Sequence, residues 1–600
     1  MDHYGFYTGK VFDAYEYLGG RLTEEGAVFR TFAPSAARVA LIGDFSAWQE
    51  VPMRKVYDGN FWECTVPGAA AGMRYKYRIY KQDGAALDHC DPYGFYMELR
   101  PHNASILWDL GAYHFADGPW MRRRTDGRAG PVNIYEMHAG SWKKRERDGR
   151  EVEGEAGWYD YTELADRLIP YLLDAGYNYV ELLPLSEHPS DESWGYQNTG
   201  FFSPTSRYGT PAQFMAFVDK CHQSGIGVIL DFVPVHFAVD DYALWNYDGT
   251  ALYEYPHADV GRSSWGSCNF MHSRGEVRSF LQSAAHYWLK EYHVDGLRMD
   301  AVNNLIYWQG DAARGENAGA QQFLREMNRG LKRLHPTALL AAEDSSARPG
   351  VTKPAEEGGL GFDYKWDMGW MNDTLSYFQE PPARRAAEYH KLTFSMQYFY
   401  NERYLLPLSH DEVVHGKATI AQKMNGAYED KFPQARALYL YMYAHPGKKL
   451  NFMGGELAQL REWDEKRQQD WLLLHYPVHD AFYHFMRDLN HLYLDSPALW
   501  ERDFEPDGFA WLDCGQEARC LYGFERRAAR QCLAAVFNFS AEEQAGWQLP
   551  VPGAEKLTLL LATDAPEYGG GPAPAARVPV AGGLADLCLP PFSGRLYRVE

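Results

Sequence analysis

Four acidic residues carry the chemistry this chain can do, and each follows an apolar run: Asp231 in LDFVPVH, Asp300 in VDGLRMD, Glu343 in LLAAED and Asp411 in LSHDE. VDGLRMD is the most informative of these. It reads as a short buried strand ending in a carboxylate two residues beyond Arg298. Residues two apart on a strand share a face, so Arg298 and Asp300 point the same way. A guanidinium held beside a carboxylate keeps it ionised and fixes its oxygens, as a nucleophile requires. One Arg–Asp pair in a strand is more often a structural ion pair. Four strand-end carboxylates separated by helix-like segments are the pattern of an enzyme.

A carboxylate cluster without a His/Cys ligand set has two main readings, glycosyl chemistry or a divalent-metal site. The metal reading calls for phosphate-binding features or a two-metal bridging geometry, and the sequence offers neither. Glycosyl transfer with retention needs a nucleophilic carboxylate and a carboxylic acid about 5–5.5 Å apart, in unlike environments. Asp300, beside Arg298, suits the ionised nucleophile, and Glu343, with no cation nearby in sequence, suits the acid. His236 and His410 flank Asp231 and Asp411, where imidazoles can hold sugar hydroxyls. Tyr196, in the SWGYQ loop, is placed to stack under the reacting sugar.

The elements that must position these groups alternate from about Val132 onward. Strand-like NIYEM, YVELL, GVILD, GLRM, LLAAE, FDYKW, YLLPL and KLNFM are separated by amphipathic helix patterns such as 162–175, 211–223 and 276–292. About eight such units predict a (β/α)8 barrel with long insertions. The absence of a glycine-rich phosphate loop after any strand argues against a doubly wound sheet. Residues 1–118 read as an N-terminal β-sandwich, with strands such as VFRTF, RVALI and MRYKYRIY. Residues 119–496 form the barrel, and residues 497–600 return to short strands as a C-terminal antiparallel β domain. The stretch 117–130, with its RRR cluster, reads as a connector.

A net charge of −21 argues against sequence-independent nucleic-acid binding and against an anionic membrane surface, and it suits a neutral substrate. Aromatics at 15% serve either core packing or sugar stacking. The eight cysteines show no CxxC pairing and are expected to be reduced, Cys514 and Cys520 included. No secretory signal or membrane-spanning run is visible, so a cytoplasmic, monomeric protein is expected.

On these residues the chain resembles the α-amylase clan, whose short motifs match Asp231 to His236, Gly296 to Asp300, Glu343 and His410-Asp411. Within the clan it is very similar to the 1,4-α-glucan branching enzymes. The strings that carry this are NIYEMHAGSW, ELLPLSEHP, SWGYQ, GLGFDYKW, LPLSHDEVVHGK and HPGKKLNFMGGE, with DPYGFYMELRP at the edge of the N-terminal module. The resemblance implies retaining transglycosylation on α-1,4-glucan (glycogen, amylose), with Asp300 as nucleophile, Glu343 as proton donor and Asp411 as transition-state stabiliser. Tyr196, Asp231, His236, Arg298 and His410 match substrate-subsite positions. No cofactor is implied. Val235 stands where many amylases carry a calcium-holding asparagine, so no metal is expected there. The N-terminal module resembles the family's starch-binding type, which either binds glucan weakly or braces the barrel. The segment 307–320 looks shorter than its counterpart in many branching enzymes.

Two other readings share these residues. An amylase or debranching hydrolase would use the same first half-reaction and hand the intermediate to water. A non-catalytic glucan-binding scaffold would have lost Asp300 or Glu343, and both are present.

Overall fold

The computed structural model describes residues 1–600. Eight parallel strands close into a barrel: β1 (Asn133–Met137), β2 (Tyr179–Leu182), β3 (Gly227–Phe232), β4 (Gly296–Met299), β5 (Leu339–Ala342), β6 (Tyr364–Trp366), β7 (Tyr404–Leu408) and β8 (Lys448–Phe452). The main barrel helices are α1 (Tyr161–Ala175), α2 (Pro211–Gln223), α3 (Gly275–Glu291), α4 (Ala318–Leu334), α5 (Met368–Gln379), α6 (Tyr428–Ala444) and α7 (Pro477–Asp495). Local chemistry sets several of their ends. Asp160 caps α1 in a capping box with Glu163, Gly176 closes it at φ +82, and Thr210 with Gln213 caps α2 ahead of Pro211.

The period-two alternation of strand side chains explains the barrel interior. Ile134, Tyr179, Ile229, Leu339 and Leu450 form a buried apolar floor with Trp366 and Leu405. Two residues further along three of these strands, facing the same way, come Glu136, Glu181 and Asp231. The barrel is therefore filled by side chains, apolar below and charged above, and the charged layer lies toward the carboxyl ends of the strands.

Residues 19–106 form two antiparallel sheets. One has strands Gly19–Thr23, Gly26–Phe32, Phe61–Pro67 and Arg54–Val56 in that order; the other is built around Arg38–Gly43 and Arg74–Tyr80. The leading residues depart from the expected all-β start. His3–Thr8 is a helix, capped by Asp2 Oδ1 accepting the Gly5 N–H at 2.9 Å and closed by Gly9 at φ +73. It lies on α3, where Ser279 Oγ donates to Phe6 O and a Cβ at Gly275 would meet Tyr7 O at 1.9 Å. The connector holds a short helix, Gly118–Arg123, whose Trp120 Nε1 donates to Asp295 Oδ1 at 2.8 Å. After α7, eight antiparallel strands close the chain, and Phe537 on one of them packs edge-on against Tyr441 of α6. All eight cysteines are free thiols, including Cys514 and Cys520.

Candidate active site

In register, Asp231 on β3 lies opposite Arg298 on β4, and Glu136 on β1 lies opposite Glu181 on β2. Adjacent residues on one sheet face pair across strands. Arg298 Nη1 accordingly donates to both carboxylate oxygens of Asp231, at 2.7 and 2.8 Å, and to Asp300 Oδ1 at 2.9 Å. Its Nη2 lies 3.7 Å from Glu343 Oε2. The guanidinium is buried and also covers the Trp366 ring, 4.5 Å from its centroid. One fixed cation thus organises three carboxyls from β3, β4 and β5.

The turn after Asp300 sets the remaining geometry. Ala301 adopts φ +45, a left-handed conformation that costs a non-glycine residue energy and marks a constrained site. That conformation aims its N–H at Glu343 Oε2, 2.6 Å away, while Val302 N–H reaches Glu343 O at 2.9 Å. The backbone beyond the Asp300 strand therefore clamps the residue at the end of the next one.

Tyr196 lies across the top of the cluster. Its hydroxyl donates to Asp231 Oδ2 at 2.5 Å, and its ring stacks on His410 at 5.6 Å with a 20° tilt. His410 covers one face of the ring, which leaves only the other face for a sugar. His410 is held from below, with Nδ1 2.6 Å from Glu136 Oε1 and its backbone N–H 3.0 Å from Oε2. Asp411 follows in a short turn, Oδ1 lying 3.4 Å from His410 Nε2, and its side chain is half-exposed. The side chains of Asp300 and Glu343 are 14% and 17% exposed, so a ligand can reach both without their being bathed in water.

Burial raises Asp300 to about 7, partly offset by Arg298 and reinforced by Asp231 and Asp411. Glu343 is also raised to about 7 by burial, with Arg298 and the Ala301 N–H pulling the other way. The sequence distinguished these two by the nearness of a cation. The fold narrows that contrast: Arg298 hydrogen-bonds Asp300 at 2.9 Å and lies 3.7 Å from Glu343, which alone of the two accepts the Ala301 N–H, and the pair titrates as interacting neighbours. Burial opposes charge on His410, but Asp411 and Glu136 outweigh it and lift the imidazole to about 9. His410 in turn holds Asp411 below the usual carboxylate range. Burial lifts Asp231 to about 6, and burial, reinforced by Glu136 and Asp231, pushes Glu181 well above the carboxylate range.

Of the residues singled out from sequence, Tyr196, Asp231, Arg298, Asp300, Glu343, His410 and Asp411 converge. His236 stands apart. It makes no hydrogen bond to Asp231, its Nδ1 is buried without a partner, and burial lowers it to about 4, so it is neutral. Its neighbour is Trp265, with ring centroids 5.3 Å apart. Trp265 was not anticipated from sequence. It is 49% exposed at the tip of a turn closed by Ser263 and Ser267, and its carbonyl accepts from Gln197 of the SWGYQ loop at 3.1 Å. Glu136 and Glu181 were also missed, although a lone Glu inside NIYEM and YVELL is a visible buried-polar signal. Ala301 left no signal, since alanine rarely takes this φ. No group of three or more His, Cys, Asp or Glu side chains is arranged to hold a metal ion.

Family models match three stretches of the chain: carbohydrate-binding module 48 (isoamylase N-terminal domain) over residues 17–94, the α-amylase catalytic domain over 153–248, and the α-amylase C-terminal all-beta domain over 511–600. Among solved structures, a pullulanase complexed with maltotetraose from Anoxybacillus sp. LM18-11 is similar with a TM-score of 0.75 at 16% identity, covering 100% of this chain and 89% of that one. A pullulanase from Bacillus acidopullulyticus reaches 0.73 at 18% identity, covering 97% and 74%. At such identities the likeness concerns the fold. Whole-chain relatives say more. The 1,4-alpha-glucan branching enzyme of Bacillus caldolyticus is 44% identical over 100% of this chain and 90% of its own length. Those of Geobacillus stearothermophilus (41%, 100% and 93%) and Fusobacterium nucleatum (44%, 95% and 92%) are similar to the same degree. With more than two fifths identity sustained from the first sheet to the last, the chain belongs to the 1,4-alpha-glucan branching enzyme family.

Proposed function

We propose that this protein cleaves an internal α-1,4 bond of a linear glucan and transfers the released chain to a 6-hydroxyl, forming an α-1,6 branch. The observation that carries the catalytic assignment is the single guanidinium of Arg298 touching Asp300 and Glu343 together. Contact with one guanidinium supports a close pair of carboxyls, the arrangement that the retaining route uses.

Asp300 attacks the anomeric carbon from one face. Glu343 gives its proton to the glycosidic oxygen, and the reducing-end portion leaves as a free alcohol. The covalent glycosyl ester is then opened by the 6-hydroxyl of an acceptor chain, whose proton returns to Glu343. Asp411, held ionised by His410, accepts hydrogen bonds from hydroxyls of the distorted sugar and supports positive charge at its ring. Tyr196, Asp231, His410 and Arg298 hold the nucleophile and the sugar around it, and His236 would serve a neighbouring substrate subsite. Residues 1–118, 119–496 and 497–600 would serve as carbohydrate-binding, catalytic and C-terminal units of a monomer acting in cytoplasmic glycogen synthesis.

The test is incubation with linear amylose, following α-1,6 anomeric protons by NMR together with reducing ends. New α-1,6 signals with little rise in reducing ends support branching. A rise in reducing ends without them makes the protein a hydrolase.

A further inference from the structure

We propose that a trench on the catalytic face, between the loops that follow β1 and β8, binds the non-reducing stretch of the glucan chain being transferred and so sets its length. This rests on the branching reading above.

The trench has about 1100 Å³ of open volume, lined by residues 144–154 on one side and 464–475 on the other. That exceeds the roughly 300–1,000 Å³ of a small-molecule pocket, and it suits an oligomer rather than a single sugar. Its walls are fixed before any ligand arrives. Gln468 ties them together: its backbone N–H donates to Glu151 Oε2 at 3.0 Å, its Nε2 donates to Glu146 Oε1 at 2.8 Å, and its Oε1 accepts the Lys144 N–H at 3.0 Å. Trp471, partly exposed, is held by its indole N–H donating to Trp142 O at 2.9 Å, with Lys143 Nζ 5.5 Å from the ring. Arg150 and Arg467 alternate with the glutamates and Asp470 along the lining, so no single-sign field selects an ion. Closely spaced donors and acceptors around an indole are what a neutral polyhydroxyl chain needs.

Position gives the orientation. Both walls are strand-to-helix loops, so the trench shares the barrel face with the carboxyls. Its 464–466 wall borders the cleft directly, since Glu465 Oε2 accepts from Trp194 Nε1 at 3.2 Å and Lys466 pairs with Glu192 at 2.8 Å. In the closed order of strands, β5 with Glu343 lies across the barrel from β1. The group that protonates the leaving oxygen faces the departing and accepting chains. The donor's non-reducing portion runs the other way, toward β8 and β1.

The experiment compares the unmodified protein with Glu153→Trp, which fills the trench from an exposed wall position, and with Trp471→Ala. Products made from long amylose are debranched and their chain lengths profiled, and maltoheptaose affinity is measured by calorimetry in an Asp300→Asn background. Shorter transferred chains with Glu153→Trp, and roughly three- to tenfold weaker maltoheptaose binding with Trp471→Ala, the scale of one aromatic contact, support the proposal. An unchanged profile and affinity with Glu153→Trp overturn it. If the unmodified protein forms no α-1,6 linkages, the branching reading fails separately, and calorimetry with and without Glu153→Trp still decides whether the trench holds glucan.

Discussion

Arg298 Nη1 contacts both carboxylate oxygens of Asp231 and one oxygen of Asp300, so it fixes the orientation of Asp300, the proposed nucleophile, while performing no bond-breaking step itself. Lysine cannot reproduce this arrangement, because a compact ammonium lacks the second nitrogen that reaches toward Glu343 and the flat face that covers Trp366. Arg298→Lys is expected to lower kcat by about a hundredfold, the usual consequence of a misplacement near 1 Å. Arg298→Met leaves the carboxyls without their cation and is expected to cost ~3–5 kcal/mol in a denaturant titration. Unaltered stability of Arg298→Met would mean the carboxyls are held by something else.

Asp300→Asn and Glu343→Gln should each reduce branching by roughly 10²–10⁴-fold while leaving the circular dichroism spectrum intact. The two separate in an azide rescue experiment with Glu343→Ala and an activated donor. Azide needs no deprotonation and should restore turnover as a glycosyl azide of retained configuration, whereas Asp300→Ala should show no such product. A retained azide from Asp300→Ala, or an inverted one from Glu343→Ala, contradicts the assigned roles, whereas an inverted azide from Asp300→Ala, formed by a single displacement in place of the missing carboxylate, agrees with them.

In the proposed mechanism Asp300 works ionised and Glu343 works protonated, and burial raises both to about 7. Activity should therefore rise with pH as the first proton leaves the pair and fall as the second leaves, giving a narrow bell centred near neutrality. The Ala301 N–H stabilises ionised Glu343. Ala301→Val, a β-branched residue forced to φ +45, should cost ~1–3 kcal/mol and move the alkaline limb upward as that hydrogen bond is lost. A broad plateau from pH 5 to 9 would refute the shared environment.

His410 is lifted to about 9 by Asp411 and Glu136 against the cost of burial. A raised pKa means that the folded protein binds this proton more tightly than the unfolded chain. Its stabilisation is complete below about 6.5, the unfolded value, and is lost as pH rises through about 9. The stability difference between the unmodified protein and His410→Asn should shrink between pH 7 and 10, as measured by chemical denaturation at fixed ionic strength. A difference that widens over this range has the wrong sign.

Trp265, half-exposed beside His236, is placed to stack on a sugar at the cleft mouth. Trp265→Ala should raise KM for amylose by roughly three- to tenfold, with a smaller change in kcat. Loss confined to kcat would place it in the chemistry rather than in binding.

The sequence alone determined the barrel and most of the site. Period-two and helical patterns need only local information, and NIYEM, YVELL, GVILD and GLRM each declare a strand with a polar residue near its end. The Arg298–Asp300 relation was legible because two residues on one strand share a face whatever lies around them. Contacts between strands were not legible. Only barrel closure put Asp231 opposite Arg298 and brought Glu343 near the same guanidinium, which narrowed the contrast in cation proximity read from the chain. Glu136 and Glu181 were visible as buried acids, but their roles beneath His410 and within the charged layer depend on the register between β1, β2 and β7. The turn at Ala301 and the tip at Trp265 depend on long-range packing that no local pattern encodes, whereas the helix at His3–Thr8 has local caps in Asp2 and Gly9 but is too short to be declared by periodicity. Tertiary structure also decided the charge states, because burial and neighbouring charges, not residue type, lift Asp300, Glu343 and His410 away from their ordinary values.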